Sequence, residues 1–333
     1  MTASPNKKTI YGIQFLRGLA ALGVVFCHFG SKLTAYPWLS WIFCFGQDGV
    51  HVFFFISGFI IVYSLTQAAY QPSQFFRFLL KRSIRIDPSY YVTIILTLVL
   101  FKLFSLSPSF RGRTTTIIPG QLLAHIFYVV PFTKWKFYNH IFWTLCIEFQ
   151  FYLIVGLLYF LFDSRLYRNC FLIAFALTSF IPFTIGYSLV FNYAAIFALG
   201  ISLVNLYNKE KNAAAWYHYV FPLLFLLVAG YQFGLAIALF LLLSAGILLF
   251  VKSDFRPLNF LGNISYSLYL THSLVFLVVT SLLKKLQFDL GKTQLLWLAL
   301  EVALAIIIAY GFYLLVEKPS LRLSKKVFYR RKS

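Results

Sequence analysis

Acidic side chains are scarce in this chain. Nine Asp and Glu stand against 29 Lys and Arg in 333 residues, and charged residues of either sign make up only 11%. Soluble domains are about a quarter charged, so an ordinary soluble fold is excluded. The hydrophobic share is 60% and the mean hydropathy is +0.80. That excludes disorder as well, because so apolar a chain cannot stay solvated. Cysteines are few: Cys27, Cys44, Cys146 and Cys170. None forms a CxxC or a Cys/His spacing, so neither a disulfide framework nor a metal site is expected. Cys27, Cys146 and Cys170 fall in or beside apolar runs, where cysteine behaves as a small hydrophobe. Internal repeats, low-complexity linkers and an added soluble domain are also absent from the pattern. Lys7 and Lys8 precede an apolar stretch, but that stretch carries Arg17 and leads into further spans. A first membrane helix is therefore expected there, not a cleaved leader.

Long apolar runs are what the sequence has instead. A membrane-crossing helix needs about 20 apolar residues. Ten spans are expected, near 10–29, 49–67, 89–106, 141–162, 169–187, 188–207, 213–231, 233–251, 261–283 and 294–316. The fold class is thus all-α and polytopic, in one membrane domain over residues 8–320 with a basic tail, 321–333. Tight turns are expected near Tyr187 and Gln232. The run Ile117–Phe132 is too short to cross easily and reads as interfacial or re-entrant.

The net charge of +20 would suggest nucleic acid in a soluble protein. Here the basic residues sit between apolar runs, and topology explains them better. With the N-terminus inside, the cytoplasmic segments hold Lys7, Lys8, Arg77, Lys81, Arg82, Arg85, Arg165, Arg168, Lys209, Lys211, Lys252, Arg256 and the C-terminal tail. Fewer face out: Lys32, Lys102, Arg111, Arg113, Lys134, Lys136, Lys284, Lys285 and Lys292. The bias places both termini in the cytoplasm and favours an even number of spans. The tail itself reads as an anchor to anionic headgroups.

Five ionisable side chains lie inside the expected spans: Arg17, His28, Glu148, His272 and Glu301. Each costs about 2.5–3.5 kcal/mol near the bilayer centre on insertion scales. Any one could be a structural pair; together they argue for a wet cavity within the bundle. Arg17 and His28 are eleven positions apart, which returns to nearly the same helix face roughly 16 Å further along. One stripe so carries a cation at the inner side and an imidazole in the outer half. Between them Gly18, Ala20, Ala21 and Gly23 permit close approach of a neighbour. Snorkelling to headgroups is the plain alternative for Arg17.

In the segment after the second span, Arg82 and Arg85 stand at i, i+3. Two guanidinium forks on one face suit bidentate phosphate contacts, as from a cytoplasmic phosphorylated donor. Ser57-Gly58 places a hydroxyl and a close backbone approach mid-helix. No nucleophile elbow surrounds Ser57, so it is not read as a nucleophile. Glu148 lies near His28 in expected depth, where a carboxylate could orient the imidazole or pair with a cation. The polar run Asn263–His272 reads as a cavity wall, and Glu317 could neutralise a basic inner site.

These segments, in this order, resemble the integral-membrane acyltransferase family 3, the bacterial O-antigen, exopolysaccharide and Nod-factor O-acetyltransferases. The carrying motifs are Arg17-x10-His28, Gly49-Val50-His51-Val52-Phe53-Phe54-Phe55-Ile56-Ser57-Gly58-Phe59 and Lys81-Arg82-Ser83-Ile84-Arg85-Ile86-Asp87-Pro88-Ser89-Tyr90. They continue with Phe142-Trp143-Thr144-Leu145-Cys146-Ile147-Glu148-Phe149-Gln150-Phe151-Tyr152-Leu153, Ile264-Ser265-Tyr266-Ser267-Leu268-Tyr269-Leu270-Thr271-His272 and Val316-Glu317-Lys318-Pro319. Singly they are loose; the ordered set is specific and covers nearly the whole chain. The family often has Asp where His51 stands, and Glu-Glu-Gln where this chain has Glu148-Phe149-Gln150.

The resemblance implies a multi-pass enzyme of the bacterial inner membrane. It would move an acetyl or other short acyl group from cytoplasmic acyl-CoA to a hydroxyl of a cell-surface polysaccharide or lipid-linked sugar. Arg17, Arg82 and Arg85 would hold the coenzyme A phosphates. His28 would be the general base, with Glu148 orienting it. Ser57, Tyr152, Tyr269 and His272 would line the substrate cavity, and no metal or nucleic acid is implied. The competing reading is a glycan-precursor transporter or flippase, which typically shows inverted repeats and matched broken spans; these are not seen.

Overall fold

The computed structural model describes residues 9–106, 116–182, 188–208, 216–285 and 291–329. Among them the regular structure is helical throughout, without a strand. In chain order the helices are α1 (Tyr11–Gly30), α2 (Pro37–Cys44), α3 (Gly49–Gln67), α4 (Phe75–Ser105), α5 (Pro119–Ile126), α6 (Trp143–Leu158) and α7 (Arg165–Leu177). Then follow α8 (Ala194–Tyr207), α9 (Tyr217–Phe233), α10 (Leu235–Phe250), α11 (Arg256–Lys285), α12 (Gln294–Phe312) and, after a π turn at Tyr313–Glu317, α13 (Lys318–Ser324). Lys7, Lys8, Arg111, Arg113, the turn near Tyr187, Lys209, Lys211, Arg330, Arg331 and Lys332 lie outside the described residues.

Seven helical segments are long and apolar enough to cross a membrane. Three other expected spans are shorter helices: α9 and α10, and α7 with 13 residues. At 1.5 Å per residue α7 reaches about 20 Å, short of a hydrocarbon core of about 30 Å. The expected span at 169–187 begins in α7, and its last part, 183–187, lies outside the described residues. α9 and α10 meet at Gly234, whose φ of +96° only glycine adopts without strain. That is the turn expected near Gln232. The run Ile117–Phe132 holds the eight-residue α5. There buried His125 donates from Nδ1 to the Gln121 carbonyl, 2.8 Å, and accepts at Nε2 from the Tyr138 N–H, 3.1 Å. Burial holds this imidazole below its usual pKa.

The third span is expected from residue 89. Instead α4 runs from Phe75 through Pro88 to Ser105. Pro88 leaves the Ile84 carbonyl without its helical donor, a loss that helix bundles tolerate; nearby, the Tyr266 hydroxyl donates to the Ile86 carbonyl at 3.0 Å. The basic cluster Arg77–Arg85 is therefore helical, not a loop, and it is this continuity that turns Arg82 into the bundle. Residues 37–44, expected to be an outer loop, form α2, with Trp38 and Trp41 exposed. Amphipathic indoles at a span end suit the headgroup level.

Two helix crossings set the frame, and both rest on glycine. A Cβ on Gly58 of α3 would lie 2.3 Å from the Phe197 carbonyl oxygen, and one on Gly200 of α8 would lie 2.1 Å from that of Phe55. α1 and α11 approach in the same manner: a Cβ on Gly262 would lie 2.2 Å from the Gln14 carbonyl oxygen, and one on Gly18 would lie 2.8 Å from that of Leu258. Small residues let membrane helices approach until dispersion contacts are dense. Around the α3–α8 crossing Phe54, Phe55, Phe151 and Phe197 are buried, and the rings of Phe151 and Phe197 stack at 4.2 Å.

Glu301 is a structural pair and not part of a cavity. It accepts from Lys32 Nζ at 3.0 Å, and that ammonium lies 4.3 Å from the Phe276 ring centroid. Gln294, on the same helix, accepts from the Ala35 N–H and donates to Thr34. Together they fasten the α1–α2 loop to α12.

Candidate active site

Five helices and the π turn enclose a cavity of about 130 Å³ whose largely apolar wall carries a cluster of charges. Its charged lining is Arg17 from α1, Arg82 and Arg85 from α4, Glu148 from α6 and Glu317 from the π turn. Ser57, Tyr152, Tyr266 and Tyr269 complete most of the polar wall. The i, i+3 spacing of Arg82 and Arg85 puts both on one face of α4.

Each charge is held differently. Arg82 is buried; its Nη2 donates to Ser64 Oγ at 3.0 Å. The guanidinium lies over the Phe78 and Tyr152 rings, 5.5 and 5.6 Å from their centroids. Arginine suits such aromatic faces because its charge is delocalised and weakly hydrated. Its Nε is buried without a partner. Glu317 accepts from the Ser267 N–H at 3.1 Å and the Ser267 hydroxyl at 2.5 Å. Glu148 accepts from Ser57 Oγ at 3.2 Å and from the Tyr152 hydroxyl. Arg17 lies in the field of Arg85, which repels it, and of Glu317 and Glu148, which attract it. Among the described residues, none of the three arginines forms an ion pair with a carboxylate. Three forks face two carboxylates that already have other donors, so the cavity keeps unspent anion-binding capacity.

Histidines lie at the other end of α1. His28 lies near the C-terminal end of α1, and its ring centroid is 5.1 Å from that of His272 on α11. Neither lines the cavity. The Tyr269 ring lines it and lies 5.8 Å from the His272 ring, one helical turn along α11. Tyr269 is fixed there by Thr144 Oγ1, 2.9 Å from its hydroxyl, and by its own bond to the Ile141 carbonyl, 3.2 Å.

Of the residues expected to form the site, Arg17, Arg82, Arg85, Glu148, Ser57, Tyr152 and Tyr269 come together in one cavity. Two expectations are corrected. Glu148 does not orient His28: its hydrogen bonds go to Ser57 and Tyr152, because α6 delivers it to the arginine side. His272 is not a cavity wall; it is fully buried behind Tyr269. His51 also stands apart, its ring 4.9 Å from Phe233 and its Nδ1 3.6 Å from Asp48. The roles of Ser64 as the Arg82 anchor and of Thr144 as the Tyr269 anchor were missed. A hydroxyl in a helix carries no signal of its partner, since serine and threonine satisfy themselves locally. No group of three or more His, Cys, Asp and Glu among the described residues has metal-binding geometry.

Comparison with known proteins bears on what such a cavity is. The family model described as an acyltransferase domain, Acyl_transf_3, matches residues 10–314. "Nodulation protein 10" of Rhizobium leguminosarum bv. viciae is 30% identical over 167 residues, covering 44% of this chain and 43% of that protein. The match thus spans less than half the length of that curated relative. No solved structure matches. With a family model covering nearly all of its helices and its arginine cavity, this all-α polytopic membrane protein belongs to acyltransferase family 3.

Proposed function

We propose that the protein is an O-acyltransferase of the bacterial inner membrane. It takes an acetyl or other short acyl group from cytoplasmic acyl-CoA and places it on a hydroxyl of a cell-surface polysaccharide or lipid-linked sugar. The observation that carries this is the cavity in which Arg17, Arg82 and Arg85 stand without carboxylate partners. Guanidinium forks fit the phosphates of a nucleotide thioester, and neutralising charge inside a bundle needs an anion.

His28 follows Arg17 by eleven positions on one uninterrupted helix, about 16 Å further on. That span is comparable to an extended pantetheine arm. With its phosphates at the arginines, the donor presents its thioester near His28, past Tyr269. His28 takes the proton of the acceptor hydroxyl as the new O–C bond forms. The C–S bond breaks, and the proton passes from the imidazolium to the departing sulfur. Glu148 and Glu317 keep the arginine cavity from being overcharged when no donor is bound, and Glu148 holds Ser57 and Tyr152 in its wall.

The test is glycan mass analysis in a host deleted for this protein. Complementation with wild type should restore an acetyl-sized mass gain on the surface polysaccharide. No gain at equal membrane expression would move the reading toward transport of a glycan precursor. The phosphate clamp has its own test in Arg17→Lys, which keeps the charge and loses the fork. Losing one charge-assisted bond should raise the KM for acetyl-CoA about tenfold with kcat unchanged. Wild-type KM in this variant would remove Arg17 from the clamp.

A further inference from the structure

His272 is completely buried, yet one of its ring nitrogens has no partner. Nδ1 lies 2.6 Å from the Tyr269 carbonyl oxygen and 3.2 Å from that of Leu268. Carbonyl oxygens only accept, so Nδ1 carries the proton and Nε2 presents a lone pair. That Nε2 is buried and unsatisfied. Native proteins leave few such atoms, and each calls for an explanation.

His125 supplies the contrast within the same chain. It uses the same lock, Nδ1 to a carbonyl one turn back, but its Nε2 accepts from the Tyr138 N–H. His125 is a structural histidine with both nitrogens engaged. His272 has the lock without the second bond, and beside it stands the His28 ring, tilted by 56° at 5.1 Å between centroids. The two rings are not hydrogen-bonded as they stand, but at that separation a rotation of the His28 side chain brings a ring nitrogen to within about 3 Å of Nε2, a hydrogen-bond distance. His28 is half-buried and senses His140, which lies on the segment entering α6.

We infer that His272 is the positioning residue for His28: its fixed Nε2 lone pair accepts the His28 N–H and so sets which His28 nitrogen faces the acceptor hydroxyl. The inference rests on the reading of His28 as general base. An imidazole can act as base only through its unprotonated nitrogen, so a partner that holds the N–H on the far side keeps the near nitrogen free. In the transfer step His28 gains the hydroxyl proton and becomes a cation. Its other N–H still points at the His272 lone pair, which stabilises the imidazolium without taking a proton. When the proton leaves with the coenzyme A thiol, the original tautomer is restored. The two histidines lie on α1 and α11, the pair of helices closed by Gly18 and Gly262, so their spacing is built into the frame.

Two amides separate this role from a merely structural one. Glutamine places its terminal group near the position of Nε2, and asparagine near that of Nδ1. The full-length protein in proteoliposomes is given acetyl-CoA and the host's extracted surface polysaccharide, and release of coenzyme A thiol is followed. His272→Gln should stay close to wild type. His272→Asn should lose kcat by roughly 10–100-fold, as for other groups that orient an active imidazole, with the KM for acetyl-CoA unchanged. The reverse order, Asn active and Gln inactive, would make the bond to the Tyr269 carbonyl the one that matters and overturn the proposal. So would equal activity in both, or equal loss in both with a lowered melting temperature. His28→Ala is the control on the parent reading. Full activity there would sink the general base itself, whereas a loss there with both amides active would sink only the role of His272.

Discussion

His28→Ala is expected to slow acyl transfer by about 10²–10⁴-fold, the usual contribution of a positioned general base. Folding should be little affected. The ring is half-buried, lies 5.1 Å from that of His272 between centroids, and makes no side-chain hydrogen bond among the described residues. The loss should therefore fall on kcat, with the KM for acetyl-CoA held by Arg17, some 16 Å away along α1, together with Arg82 and Arg85 on α4. Thiol release from acetyl-CoA in proteoliposomes, beside a thermal melt in the same detergent, separates the two effects. A melt unchanged and a rate unchanged would take His28 out of the chemistry while leaving the cavity in place.

Gly200→Ala is expected to produce a large structural effect from a single methyl group. The added Cβ would sit 2.1 Å from the Phe55 carbonyl oxygen, and backbone cannot rotate away as a side chain can. α3 and α8 must separate, which loosens the Phe54 and Phe197 rings, 5.2 Å apart between centroids. Overpacking of this kind costs about 1–3 kcal/mol. The displacement also reaches the site, because α3 carries Ser57, the donor to Glu148. Gly246→Ala and Gly311→Ala are the matched controls, since nothing lies within 4 Å of a Cβ at either position. There alanine should stabilise slightly, by roughly 0.5–1 kcal/mol, through its better helix propensity. A lowered melting temperature and reduced transfer for Gly200→Ala alone is the expected pattern. Equal melts for all three would mean that the α3–α8 crossing does not hold the bundle.

The membrane spans were largely legible because partition into hydrocarbon depends on each segment's own composition. α1, α3, α11 and α12 lie close to where apolar runs place them. The failures have local causes. The third span is expected from residue 89, whereas α4 starts at Phe75 and runs on through Pro88. Glu301 looked like a cavity charge only because Lys32, 269 positions away in sequence, is invisible to any local window.

The site divides along the same line. That Arg17 and His28 share a stripe, and that Arg82 and Arg85 share a face, follows from 3.6 residues per turn alone. Periodicity acts within one helix, so the sequence by itself determined an all-helical membrane bundle with cations and an imidazole at separate depths. It could not decide partners between helices. Tertiary structure gave Glu148 to Ser57 and Tyr152 and not to His28, and it put His272 beside His28 behind Tyr269. Those choices depend on how closely and at what rotation two helices meet. Here that is set by backbone contacts at Gly58 with Gly200 and at Gly18 with Gly262, where the missing side chains of two distant segments must coincide.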